Sequence, residues 1–140
     1  GWWNIRHERS YLDYRLDFHL SARRYEPGTL PTANIAGLSA SMDLLSEIGP
    51  STIRDRILET NAVLKRGLIA HGWRIVSPEP VASGILAAVP SAADSGATAK
   101  RLEARGIIVA PREGAVRFSP HAYNDLAEVA RILEALEETG

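Results

Sequence analysis

The stretch Val116-Arg117-Phe118-Ser119-Pro120-His121-Ala122-Tyr123-Asn124 decides how this chain reads. It sets one arginine on a short strand beside a turn, brings an imidazole and a phenol in close behind, and runs directly into a charged amphipathic helix. A guanidinium held by flanking structure is suited to gripping a carboxylate through two parallel hydrogen bonds. Immediately upstream, Ile107-Ile108-Val109-Ala110 and Ala115-Val116-Arg117-Phe118 read as a hairpin around Pro111-Arg112-Glu113-Gly114, whose glycine suits the turn. Downstream, a helix starts at Asp125. Asp125 and Glu128 have capping-box spacing, and Leu126, Val129, Leu133 and Leu136 give the helix an apolar stripe.

Farther out, Ile35, Leu38, Met42, Leu45 and Ile48 recur at spacings of three and four, which predicts a helix with one apolar face, stopped by Gly49-Pro50. A second helix is expected from about Ser51 to His71-Gly72, with Ile53, Ile57, Leu64 and Leu68 on its buried side. Trp73-Arg74-Ile75-Val76 and Gly84-Ile85-Leu86-Ala87-Ala88-Val89 read as short strands. A third helix covers about Ser95 to Arg105 and is closed by Gly106. Residues 1–30 mix aromatics, arginines and histidines without a clear period, then reach the turn-rich Glu26-Pro27-Gly28-Thr29-Leu30-Pro31. The order of elements implies an α+β fold: a small antiparallel or mixed sheet with helices covering one face. The expected division is a connecting segment at 1–30 and a small α+β domain at 31–140.

Composition narrows the function classes. The chain has 140 residues, 45% of them hydrophobic and 24% charged, as expected of one globular domain. A formal net charge of −1 points to no nucleic-acid or acidic-membrane partner. No apolar run approaches the roughly 20 residues of a membrane span. There is no cysteine, which removes disulfides and thiolate chemistry from this chain and fits a cytoplasmic location. No metal site is expected. The opening Gly1-Trp2-Trp3 lacks an initiator methionine and reads as the interior of a longer protein, with both tryptophans as core or interface residues.

Three segments together resemble the class V aminotransferases, the pyridoxal-phosphate enzymes of fold type I that include the cysteine desulfurases and isopenicillin epimerase-like proteins. Arg24-Tyr25-Glu26-Pro27-Gly28-Thr29-Leu30-Pro31, followed by Ile35-Ala36-Gly37-Leu38, is similar to the family's aromatic-Glu-x-Gly-Thr segment. His71-Gly72-Trp73-Arg74-Ile75-Val76-Ser77-Pro78 is similar to the strand entry after the family's long helix. Arg117 to Asn124 resembles its Arg-x-Ser-x-x-x-Tyr-Asn sequence. The resemblance covers nearly the whole chain and implies the C-terminal small domain of such an enzyme.

It also implies roles. Arg117 would bind the α-carboxylate of an amino-acid substrate; on residues alone it reads rather as a strand arginine exposed to solvent or paired with Glu113, since surface ion pairs are common. Gly28 and Thr29 would reach the phosphate of pyridoxal phosphate in a second subunit of a homodimer, amide and hydroxyl on a glycine turn being good phosphate donors. The bland reading is that Thr29 or Thr32 caps a helix. His121 and Tyr123 could line the pocket mouth but read rather as packing around the turn and shaping it, Asn124 and Asp125 would serve the helix start, and Arg112 in the hairpin turn could reach a polar substrate but reads rather as a solvated turn residue. The cofactor needs a lysine, and Lys65 and Lys100 are both expected on solvent-facing helix surface, so the catalytic lysine would belong to a preceding large domain and this chain by itself would be inactive. Family members with desulfurase activity carry a nucleophilic cysteine in this domain, upstream of the arginine; its absence here implies transamination, epimerisation or lyase chemistry instead. The alternatives are a non-catalytic binding or regulatory protein of the same fold, or a free-standing small α+β binding domain.

Overall fold

The computed structural model describes residues 2–91 and 94–137. Helix α1 spans Thr32–Ile48, α2 Pro50–Ala70, α3 Ser95–Glu103 and α4 Leu126–Glu137; strand β1 is Arg74–Ile75, β2 Leu86–Val89, β3 Ala110–Arg112 and β4 Ala115–Phe118. All strand pairs are antiparallel, in the order β1-β2-β4-β3. The fold is α+β. The chain divides into two compact units, residues 1–44 and 45–140.

In the second unit, α2, α3 and α4 cover one face of the sheet. Leu64 and Leu68 from α2, Leu102 from α3, and Val129 and Leu136 from α4 close over Leu86, Ala88, Val116 and Phe118, with Trp73 filling one corner. Helix ends follow from local chemistry. Pro50 opens α2 behind Gly49, whose φ of 92° few other residues adopt. At the far end the Gly72 amide donates to the Ile69 carbonyl and the Trp73 amide to that of Leu68, a Schellman closure around a glycine with φ of 77°. α3 closes the same way, with Gly106 donating to Glu103 and Ile107 to Leu102. At its start the Asp94 carboxylate accepts from the amides of Gly96 and Ala97.

These closures explain where the strands depart from expectation. The amides of Trp73 and Ile107 are committed to the preceding helix ends, so β1 begins only at Arg74 and the expected strand at 107–110 only at Ala110. The hairpin turn is also tighter than expected. Arg112 pairs with Ala115, and the two residues between them, Glu113 and Gly114, have φ of 47° and 82°. Two consecutive positive φ values make the mirror-image turn whose twist matches that of the strands. Arg112 is therefore a strand residue.

The expected apolar stripe of α1 exists, yet α1 has no buried residue: Leu38 and Met42 are 62% and 58% exposed. In the first unit, a short 3₁₀ turn at Trp2–Asn4 and another at Ala22–Tyr25 flank a stretch of turns and loop. Ile5 bridges Phe18, the Arg6 amide donates to the Asp17 carbonyl and that of His19 to Asn4. Trp3 is 40% exposed; the side chain of Trp2 lies outside the described residues.

Two substitutions test this packing. A Cβ on Gly67 in α2 would stand 2.3 Å from Leu133 Cδ1 on α4. Gly67→Ala should therefore lower stability by about 1–3 kcal/mol in urea unfolding, although alanine is the better helix former. Adding Leu133→Ala should cost less in that background than alone. Glu113→Asn should raise stability by roughly 0.5 kcal/mol, because asparagine tolerates the left-handed region better than glutamate.

Candidate functional site

Strand β4 is the inner strand that carries Arg117, and its alternation assigns two faces. Val116 and Phe118 point into the helix-covered core; Ala115 and Arg117 point to the opposite face. Arg117 pairs with Ala87 on β2 and with Ala110 on β3. Its partners across both ladders are alanines, so no side chain larger than a methyl group flanks it there. The residue is half-buried, and its Nε is shielded from water without a hydrogen-bond partner. A shielded guanidinium donor without a partner costs free energy unless a ligand or another surface supplies the acceptor. Among the described residues no carboxylate forms an ion pair with Arg117, Glu113 included.

The segment after β4 is held by its own polar groups. The His121 amide donates to Asn124 Oδ1, and Asn124 Nδ2 donates to Glu128 Oε2. The Glu128 amide donates to Asp125 Oδ1 at 2.9 Å while the Asp125 amide donates back to Glu128 Oε2 at 3.1 Å, which completes the capping box at α4. Within this frame His121 stacks on Tyr123, ring centroids 5.0 Å apart. His121 Nδ1 is buried without a partner, whereas Tyr123 is 83% exposed. A cavity of about 170 Å³ lies on the core side of this segment, lined by Thr60, Phe118, Ser119, Asn124 and Val129, on the opposite face from Arg117.

Gly28 and Thr29 lie in the first unit. Gly28 is buried with φ of 123°, a conformation side chains resist, and with exposed Thr29 it lines a cleft of about 710 Å³. The same cleft carries Arg9, Arg23 and Glu8. Arg23 is positioned by the Trp3 ring, 5.9 Å from its centroid, and by Glu8 at 3.6 Å. A hydrogen bond to its own backbone amide, and then the charge of Arg23, hold the Glu8 carboxyl below its usual range despite an opposing desolvation effect. Two guanidinium groups, the hydroxyls of Tyr11, Thr29 and Thr32 and one carboxylate leave the lining net positive, a donor set that fits a phosphate. Thr32 is the first residue of α1, with its amide on the Leu30 carbonyl.

A family model for class V aminotransferases matches residues 6–132. The chain belongs to the class V aminotransferase family. The uncharacterized aminotransferase YcbU of Bacillus subtilis (strain 168) is 29% identical over 117 residues, which cover 82% of this chain and 31% of that protein. Among solved structures, the cystine C–S lyase C-DES in complex with its product cysteine persulfide superposes with a TM-score of 0.78 at 21% identity, covering all of this chain and 38% of that one. The apo cysteine desulfurase of Thermococcus onnurineus NA1 gives 0.77 at 23% identity, covering 90% of this chain and 36% of the other. Another C-DES structure, of a mutant, holds glycine covalently linked to its pyridoxal-phosphate cofactor. At such identities these structures establish the fold. The chain spans about a third of the length of each of these proteins.

Against this family background, Arg117, His121 and Tyr123 fall on one strand and the turn that follows it, and Gly28 and Thr29 share one cleft in the first unit. Nothing in the sequence marks Arg9 and Arg23 as cleft residues, because the turns that carry them have no apolar period to reveal which side chains converge. Of the lysines, Lys65 is half-buried and paired with the Glu79 carboxylate, and Lys100 is exposed on α3. No group of three or more potential metal ligands occurs among the described residues. No helix among them is long and apolar enough to cross a membrane.

Gly28→Ala should destabilise the first unit by about 1–3 kcal/mol, since a side chain is strained at that φ. Amide exchange reads this directly: the Arg24 and Glu26 amides, bonded to Ser21 and Arg23, should exchange faster while those of α2 do not.

Proposed function

We propose that this chain is the C-terminal part of a longer pyridoxal-phosphate-dependent enzyme of the class V aminotransferase type, acting on an amino acid. The observation that carries the reading is Arg117: a half-buried arginine on an inner strand, flanked by two alanines and unpaired with any described carboxylate, in a chain of this family. Arg117 holds the substrate's α-carboxylate in a forked grip, and that grip fixes how the bonds at Cα are oriented. When bound, the cofactor supplies an electron sink for breaking one of those bonds. Gly28 and Thr29, with Arg9 and Arg23 beside them, hold the cofactor phosphate of a second subunit. His121 and Tyr123 support the turn behind Arg117 and so hold the guanidinium in place.

The remaining features fit this reading. The exposed apolar face of α1, with Leu38 and Met42, packs against the rest of the longer protein or against the second subunit of a homodimer. The lysine that carries the cofactor belongs to the rest of that protein, and this chain by itself is inactive. With no cysteine to accept sulfur in this domain, the reaction is transamination, epimerisation or a lyase step rather than persulfide transfer. We place the enzyme in the cytoplasm, acting on small molecules rather than on nucleic acid or membrane.

The test is made on the full-length protein purified with pyridoxal phosphate. Its visible absorption should show the bound cofactor and shift when particular amino acids are added. Arg117→Ala should raise the concentration needed for that shift, and KM, by roughly 10- to 100-fold, the scale of a lost charge-assisted hydrogen-bonded pair. Arg117→Lys should recover only part of the loss. Unchanged turnover in Arg117→Ala would remove Arg117 from the carboxylate site, and a colourless protein unresponsive to amino acids would remove the enzyme reading.

A further inference from the structure

The face of the sheet that carries Arg117 holds more positive charge than one carboxylate requires. Alternation from the paired residues puts Arg74, Ala87 and Val89 on this face from β1 and β2, Ala115 and Arg117 from β4, and Ala110 and Arg112 from β3. Three arginines therefore stand among alanines and one valine. None of the three forms an ion pair among the described residues.

Arg112 is the arginine closest to Arg117 by register. Arg117 is opposite Ala110 and Arg112 is opposite Ala115, so the two arginines are diagonal neighbours on adjacent strands. Diagonal neighbours have Cα atoms roughly 7–8 Å apart, within joint reach of two long side chains. Ala110 and Ala115 occupy the other two corners of this square and leave space above the sheet. The recorded hydrogen bond of Arg112 is a long one, Nη1 to the carbonyl of adjacent Pro111 at 3.3 Å, so its exposed guanidinium is free to swing toward a ligand. Arg74 stands on the far edge strand, opposite Val89, two strands from β4.

We propose that Arg112 is a second anion-binding residue of the Arg117 site, and that the substrate is an amino acid whose side chain ends in an acidic group. The proposal rests on the reading of Arg117 as the α-carboxylate anchor. With the α-carboxylate on Arg117, the side-chain acid of a short dicarboxylic amino acid, or of a phosphorylated or sulfonated one of similar length, meets Arg112. Two like charges that repel in the empty site are both neutralised by such a ligand. A neutral side chain leaves one uncompensated, which turns the pair into a discriminating element as well as a binding one.

The experiment uses the full-length protein loaded with its cofactor and compares glutarate with butyrate by titration calorimetry, so that no turnover is needed. Glutarate should bind at least about tenfold more tightly than butyrate, and Arg112→Met should bring glutarate down to the butyrate level. Arg117→Ala should weaken both. In turnover, glutamate and aspartate should exceed glutamine and asparagine in kcat/KM, and Arg112→Met should abolish that preference through KM; phosphoserine in the same panel distinguishes phosphate from carboxylate. Equal binding of glutarate and butyrate by the unsubstituted protein, or an undiminished glutarate preference in Arg112→Met, would overturn the role of Arg112. If Arg117→Ala also weakens neither acid, the carboxylate anchor itself fails; if it weakens both while Arg112→Met changes nothing, only the second-arginine inference fails.

Discussion

The two-residue alternation of β4 is the constraint on which the rest of the second unit depends. Val116 and Phe118 are almost completely buried among the side chains of α2, α3 and α4, and that burial fixes which way the strand faces. A slip of one residue would drive the Arg117 guanidinium into an apolar core and expose the Phe118 ring. Desolvating an unpaired charge there would cost several kcal/mol. Thus the position of Arg117 on the outer face is secured by its apolar neighbours, and needs no polar partner from the protein to hold it.

Much of this was legible in the sequence because it is written in local chemistry. Gly49-Pro50, Gly72 and Gly106 mark helix boundaries through backbone conformations that glycine and proline favour, and the structure has boundaries at each of them. Asp125 and Glu128 satisfy each other's amides as their spacing implies. The apolar spacing of α2 and α4 identified Leu64, Leu68, Val129 and Leu136 as core. Arg117 stood out as an arginine on a short strand beside a turn, with an imidazole and a phenol close behind.

What stayed hidden depends on pairing between distant residues. The position of Arg112 turned on whether the hairpin closed over four residues or two, and a glutamate at positive φ is a poor advertisement for the tighter turn. The small residues flanking Arg117, Ala87 and Ala110, come from strands that are 30 and 7 positions away in the chain, and only the sheet register brings them together. The stripe on α1 correctly announced a helix, but an apolar period carries no information about what covers it. Arg9 and Arg23 join Gly28 and Thr29 through turns that have no regular period at all.

The outer face of the sheet is thus the part of the molecule where fold and chemistry meet, and the decisive claim is that a substrate carboxylate sits on Arg117. A crystal structure of the full-length protein with a bound amino acid tests it most directly. The account predicts both α-carboxylate oxygens within hydrogen-bond distance of the Arg117 guanidinium, above Ala87 and Ala110. A substrate carboxylate held elsewhere, with Arg117 turned to solvent or paired to a protein acid, would contradict it.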